Sequence, residues 1–262
     1  MVNRVATADD FKNGVRLITT VSWQDFRERA EALEKPKRGF VWRGQTQDWP
    51  LRPSFDRKSN DDTPEERLRK LAAHLENFRK HMDSEYPNVL PIDELAAWAL
   101  GQHYDLKTPL LDWTANPYIA AYFAFVKRND PNDPNDHYRF VYALNRSIER
   151  LISKLKIGNQ ILSTKRSVPF IDELNPANPR FTAQQGVFTN QLHGKSIEEF
   201  VKSLSKKQPD DLFLVKFRIP TEFRDECLRD LSLMNIDHVS LLLDLRSVVD
   251  DCNKLYESLQ IF

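Results

Sequence analysis

Arg43 and the glycine after it are the first residues along the chain whose types suggest chemistry. They close the β-prone apolar run Gly39-Phe40-Val41-Trp42, so a strand would deliver a guanidinium to its C-terminal end, with Gln45 next. A guanidinium there offers bidentate contacts to phosphate, and the missing side chain of Gly44 permits close backbone approach. Gln102 and His103 are a second polar pair, at the end of an apolar helical stripe. Asp112 is a third candidate. It lies between Leu111 and Trp113 in an almost unbroken apolar run, where burial is costly unless the carboxylate is paired or bonded to backbone N–H groups. Asp112 is therefore expected to be largely buried and to accept hydrogen bonds from Arg43, His103 or backbone amides. The plainer alternative is a purely structural Arg43–Asp112 ion pair. The Gln184-Gln185-Gly186 turn completes the set, and Arg43 and Gln185 are expected to line one cleft.

The elements that must position these residues follow from periodicity. Val15 to Ile18 reads as a strand, and a helix starts near Ser22 with Phe26, Ala30 and Leu33 at helical spacing. Thr63-Pro64-Glu65-Glu66 is a capping box with proline at the first helical position, and Leu68, Leu71, Ala72, Leu75 and Phe78 form the stripe behind it. A helix from about Asp93 places Leu95, Trp98, Ala99 and Gln102 on one face. Leu110 to Thr114 reads as a short buried strand or turn, and Asn116-Pro117 opens a helix that is apolar nearly all round. Tyr138 to Leu144 is a strand with a helix after it, and residues 157–194 read as a long loop. Ser196 with Glu199 caps another helix. Leu212 to Ile219 alternates as a strand, Thr221 to Met234 is amphipathic, and Val239 to Leu243 is expected as a last strand before a C-terminal helix. The fold class implied is α+β, a mixed and mostly antiparallel sheet with flanking helices and a central polar cleft.

Composition narrows the function classes. With 40% hydrophobic residues, 16 Phe and 5 Trp, the chain of 262 residues can bury a substantial core. Lys+Arg and Asp+Glu both total 38, so no global field gathers nucleic acid or an anionic membrane, and such a partner needs a local patch. The two cysteines, Cys227 and Cys252, are too few for a disulfide framework or a Cys-rich zinc site and read as reduced core residues. No segment approaches the ~20 apolar residues of a membrane span, so the expected location is cytoplasmic, with no membrane partner. The Asp- and Pro-rich stretch Asn129 to Asp136 fits no calcium loop and reads as a surface turn.

Val41-Trp42-Arg43-Gly44-Gln45, Trp49-Pro50-Leu51-Arg52-Pro53-Ser54, Gln102-His103-Tyr104, Thr108 to Thr114, Asn116-Pro117, Ala120 to Ala124 and Ala183 to Phe188 together resemble the FRG-domain family. The resemblance covers roughly residues 15–262, as one domain over residues 1–262. Trp42 stands where the family usually has Phe or Tyr. A weaker resemblance, of aromatic-Arg-Gly at a strand end, a strand entering an Ala/Phe-rich helix and a third polar motif, is to the arrangement of ADP-ribosyltransferases. It implies NAD as co-substrate, no metal, and an unknown protein or nucleic-acid acceptor. Arg43 would clamp the phosphate, Gly44 would cradle nicotinamide, and Gln45, Gln102, Thr114 and Gln184 would help to hold the nucleotide. Asp112, His103 and Gln185 would be catalytic. The third motif has Gln184-Gln185 in place of the family's glutamate. Glutamine can bond a ribose hydroxyl but brings no negative charge, so Asp112 would have to substitute. Two alternatives stand beside this: a non-catalytic module binding a nucleotide, nucleic acid or protein segment in the same cleft, and a nuclease built on His103, Asp112 and Arg43, for which no metal-ligand spacing is present.

Overall fold

The computed structural model describes residues 9–34, 39–57, 62–128, 133, 136–154, 156–157, 160–161, 170–172, 179–191, 194–242 and 249. In chain order the elements are β1 (Asp9–Lys12), β2 (Val15–Thr19), α1 (Trp23–Glu34), β3 (Phe40–Gln45), α2 (Pro64–Glu85), α3 (Glu94–His103), β4 (Leu110–Thr114) and α4 (Pro117–Phe125). There follow β5 (Tyr138–Asn145), α5 (Ile148–Lys154), β6 (Lys156–Ile157), β7 (Gln160–Ile161), β8 (Phe170–Ile171), α6 (Pro179–Ala183) and β9 (Gly186–Asn190). The last are α7 (Ile197–Ser205), β10 (Leu214–Pro220), α8 (Arg224–Leu233) and α9 (His238–Leu242). Eight strands form one sheet in the order β1-β2-β10-β5-β3-β4-β9-β8. Every pair in it is antiparallel except β2 with β10, so the fold is the α+β arrangement that the sequence implies.

Strand alternation sends side chains to two faces. On one face Trp42, Val141, Ala143, Val215 and Phe217 pack under α1, α4 and α8, and Trp42 stacks on Phe217 at 6.1 Å. On the other face Val41, Tyr142, Leu144 and Leu214 pack with Ile197, Val201 and Leu204 of α7. Cys227 is buried in the first of these cores, and burial pushes its thiol pKa up, in keeping with an inert core residue. Cys252 lies outside the described residues.

Three expectations are corrected. Val239 to Leu242, the described part of the strand expected over Val239 to Leu243, is not a strand. The start of this segment is α9, because Ser240 N–H donates to the Asp237 carboxylate and Asp237 N–H to the Ser240 hydroxyl, a helix-opening exchange that outweighs the β-prone Val and Leu residues. Apart from Val249, the helix expected after it falls outside the described residues. Within the presumed loop 157–194, Gly186–Asn190 is a strand that pairs with β4 over its whole length. Leu68 is 49% exposed, and its neighbour Arg67 occupies the buried helical stripe with Leu71 and Leu75.

Arg67 is tolerated there because its fork meets the buried Asp56 carboxylate twice, at 2.6 and 2.7 Å, and also donates to the Gln191 carbonyl at 2.7 Å. This contact fixes the turn Ser54–Arg57 against α2. Asp56→Ala leaves a buried guanidinium without its carboxylate and should cost about 3–5 kcal/mol of folding free energy. Urea denaturation checks it, and a loss below about 1 kcal/mol would mean that water replaces the pair.

Candidate functional site

The site begins where two strands part. β3 pairs with β5 over all six of its residues, but with β4 the register joins Trp42 to Thr114 alone. Beyond that point the strands diverge, and a cavity of about 860 Å³ opens beside them. Its floor includes Arg43, Gly44 and Gln45 from β3 and Asp112 to Thr114 from β4. Ala120, Phe123 and Lys127, three or four residues apart along and just beyond α4, form one wall, and Arg180 and Gln184 another. Trp49, 52% exposed, lines it from the loop after β3.

Gly44 is glycine for a reason that lies in the scaffold. A Cβ there would fall 1.8 Å from the Ala120 carbonyl oxygen and 2.7 Å from the Ala124 nitrogen, so the α4 backbone sits directly on β3. The close approach permitted by the missing side chain is to a helix.

Arg43 reaches across the gap between the strands. Its side chain is 16% exposed; Nη1 donates to the Asp112 carbonyl at 2.8 Å and Nε to the Gln45 side-chain oxygen at 3.3 Å. Gln45 is itself fixed by donating to the Trp49 carbonyl at 2.8 Å. Burial lowers the Arg43 pKa from its ordinary value. The Asp112 charge opposes this, and the positive charge of Arg57 adds to it. Two guanidiniums therefore share the cavity, a like-charge arrangement that an anion between them would relieve.

Asp112 is not buried. Its side chain is 61% exposed, since the pleat that turns Leu111 and Trp113 into the core turns the residue between them outward. Its carboxylate accepts from Gln102 Nε2 at 2.6 Å and lies 3.7 Å from Arg43 Nη1. His103 does not reach it. Gln102 is held in turn by the hydroxyl of buried Thr108, and its amide orientation follows from that network. Thr114 donates to the Gln184 carbonyl at 2.7 Å and accepts from Asn116 N–H at 3.1 Å, which joins β4 to the start of α4.

Arg43, Gly44, Gln45, Gln102, Asp112, Thr114 and Gln184 thus line one cavity, and His103 and Gln185 do not. The His103 ring meets Tyr104 edge-on at 4.9 Å. Gln185 is exposed with φ 46°, a turn residue whose carbonyl accepts from Ala115 N–H. The Gln184 amide donates to the Leu241 carbonyl of α9. Arg52, Arg57, Lys107, Lys127 and Arg180 were given no part in the site from sequence, because cations scattered over loops and helix ends carry no periodic signal. With Arg43 they set six cationic side chains in the lining against two carboxylates, Asp105 and Asp112. Among the described residues no cluster of three metal-ligating side chains occurs, and no helix is long and apolar enough to cross a membrane.

The comparison with known families falls on this same stretch. Residues 38–133 match the FRG domain. The matched stretch spans β3 to α4 and holds Arg43, Gln102, Asp112 and Thr114, while Arg180 and Gln184 lie outside it. No curated protein and no solved structure matches the chain.

Two substitutions separate scaffold from site. Gly44→Ala forces α4 off β3 and should destabilise the fold by about 2–3 kcal/mol or more. Asp112→Ala removes an exposed carboxylate and should stay within about 1 kcal/mol of the parent chain. Thermal melts of the two proteins read the difference directly.

Proposed function

We propose that the cavity binds NAD and that the protein is an ADP-ribosyltransferase-like enzyme. The observation that carries the reading is the parting of β3 from β4, which turns the Gly44-Gln45 edge of β3 toward a hollow that also holds the Arg43 and Arg57 guanidiniums and the Asp112 carboxylate. The donor set fits a dinucleotide: Arg43 and Arg57 address the diphosphate, and the strand edge offers backbone groups to the nicotinamide amide. Gln102 orients Asp112 at 2.6 Å, and the cavity volume lies within the range of small-molecule sites.

Transfer breaks the bond between the ribose C1′ and the nicotinamide nitrogen. The electron pair leaves with nicotinamide, whose ring becomes neutral, and an acceptor atom bonds to C1′ and gives its proton to water. Asp112 is the carboxylate available to stabilise positive charge developing at the ribose. The family's third-motif glutamate has no counterpart here, since the Gln184 amide is bonded to α9 and Gln185 stands outside the lining.

That same absence favours the second reading, a recognition module that binds the nucleotide without turning it over. Incubation with NAD should release nicotinamide, measured chromatographically, and Asp112→Asn should slow release by about 100-fold with the melting temperature kept. Arg43→Lys should weaken ADP-ribose binding about tenfold or more, because a point charge cannot reproduce the fork. Binding without release moves the conclusion to the recognition module, and an Arg43→Lys protein that binds like wild type removes the phosphate clamp.

A further inference from the structure

The charge of the cavity exceeds what a dinucleotide needs. A diphosphate carries two negative charges, whereas six cations line the hollow of a chain whose formal net charge is zero. Local partners reduce the surplus only in part. Arg52 pairs with Glu199 at 3.1 Å, Arg43 lies near Asp112, and Asp105 is the other lining carboxylate. Three further cations stand on separate elements: Arg57 on the turn fixed by Asp56 and Arg67, Lys107 on the link into β4, and Lys127 just beyond α4. Lys127 and Arg57 are exposed. A small anion would be met at one point; charges distributed along several walls suit an anion that is itself extended.

Trp49 supplies the second observation. It is half exposed in the lining, and its loop is held on both sides: Gln45 donates to the Trp49 carbonyl, Asp48 is bound by Lys216 and Tyr142, and Leu51 N–H donates to the Glu198 carboxylate at 3.1 Å. An indole kept in solvent contact by a fastened loop is a stacking platform. Cationic walls with an aromatic face beside them are the composition of sites for single-stranded nucleic acid, where phosphates meet Lys and Arg and a base stacks.

We infer that the acceptor presented to this cavity is a single-stranded nucleic acid, held by Lys107 and Lys127 through its phosphates and by Trp49 through a base. The inference rests on the nucleotide-binding reading above for its chemical purpose, but binding of the strand is measurable without NAD. An acidic peptide would satisfy the cations and leave the indole without a planar partner.

Fluorescence anisotropy of a labelled single-stranded oligonucleotide of about ten nucleotides tests it, over a range of salt concentrations. Wild type should bind with an affinity that falls steeply with salt, and Lys107→Ala and Lys127→Ala should each lower the log–log slope by about 0.7. Trp49→Ala should weaken binding about tenfold while leaving the slope in place. A poly-glutamate peptide of equal charge should compete weakly. ADP-ribose affinity, read on the same preparations, should change less than oligonucleotide affinity in all three variants. Absence of oligonucleotide binding, equal competition by poly-glutamate, or indifference to Trp49→Ala overturns the inference, even where ADP-ribose binds. Oligonucleotide binding without any ADP-ribose binding keeps the nucleic-acid site and removes the NAD reading.

Discussion

The contact on which the site depends is that of the α4 backbone with Gly44. The Ala120 carbonyl oxygen lies 1.8 Å from where a Cβ would stand, so the helix rests on the strand with no side chain between them. Such an approach needs small residues on both partners, and α4 supplies Ala120, Ala121 and Ala124. The approach also sets direction. α4 leaves β4 through Thr114 and Asn116, whose hydrogen bonds fix its first turn, and must then cross over β3 to reach Gly44. A helix crossing the seam of two strands covers one face of that seam, and here the β3–β4 ladder ends at Trp42. The hollow is the consequence of a packing requirement, with its walls already determined.

What fills the hollow's edge is charge, gathered by residues with separate structural supports. Arg43 is tied to the Asp112 carbonyl and to Gln45, so two of its five N–H donors are spent on holding the fork in place. Arg57 ends a turn anchored by a bidentate pair fully inside the protein. Neither cation is balanced by a buried carboxylate in the cavity, since Asp112 is mostly in solvent. The buried Arg43 charge, held in place and facing the positive charge of exposed Arg57, is a repulsion that an anionic ligand between them would release, which is a preorganised form of selectivity.

The sequence was most legible where one local rule governs. The capping boxes at Thr63 and Ser196 form with both reciprocal bonds, and the helix from Asp93 brings Gln102 to the hollow as its spacing requires. The mixed sheet was legible too, because Tyr138–Asn145 and Leu214–Pro220 carry β-prone residues and alternate between two faces. Legibility failed where distant partners decide. Arg67 displaces Leu68 from the buried stripe only because Asp56 and Gln191 meet it, and neither partner lies on its helix. Val187 to Asn190 became a strand through pairing with β4, some seventy residues away, and α9 followed a two-residue capping exchange that β propensity concealed. Asp112 was misread through composition: Leu110 and Thr114, on the same face of the strand, are buried, but between them that face opens on the hollow, so an acidic residue inside an apolar run need not be buried.

Gly44 carries the most general lesson. A glycine after a strand-end arginine invites a ligand explanation, because the same missing Cβ that lets a helix approach would let a nicotinamide approach. The geometry separates the two by direction. The Cβ vector of Gly44 points into α4, on the face where Trp42 also packs, whereas the hollow lies along the strand's edge toward β4. The residue type is therefore explained by the helix, and any ligand meets the edge of the peptide, which every residue possesses. Specificity for what enters must then come from the side chains around that edge. In this chain those are cations on several walls and one exposed indole, features whose positions are set by the turn at Ser54–Arg57, the end of α4 and the loop at Trp49. A family motif can hold such a hollow open while the residues around it decide its ligand.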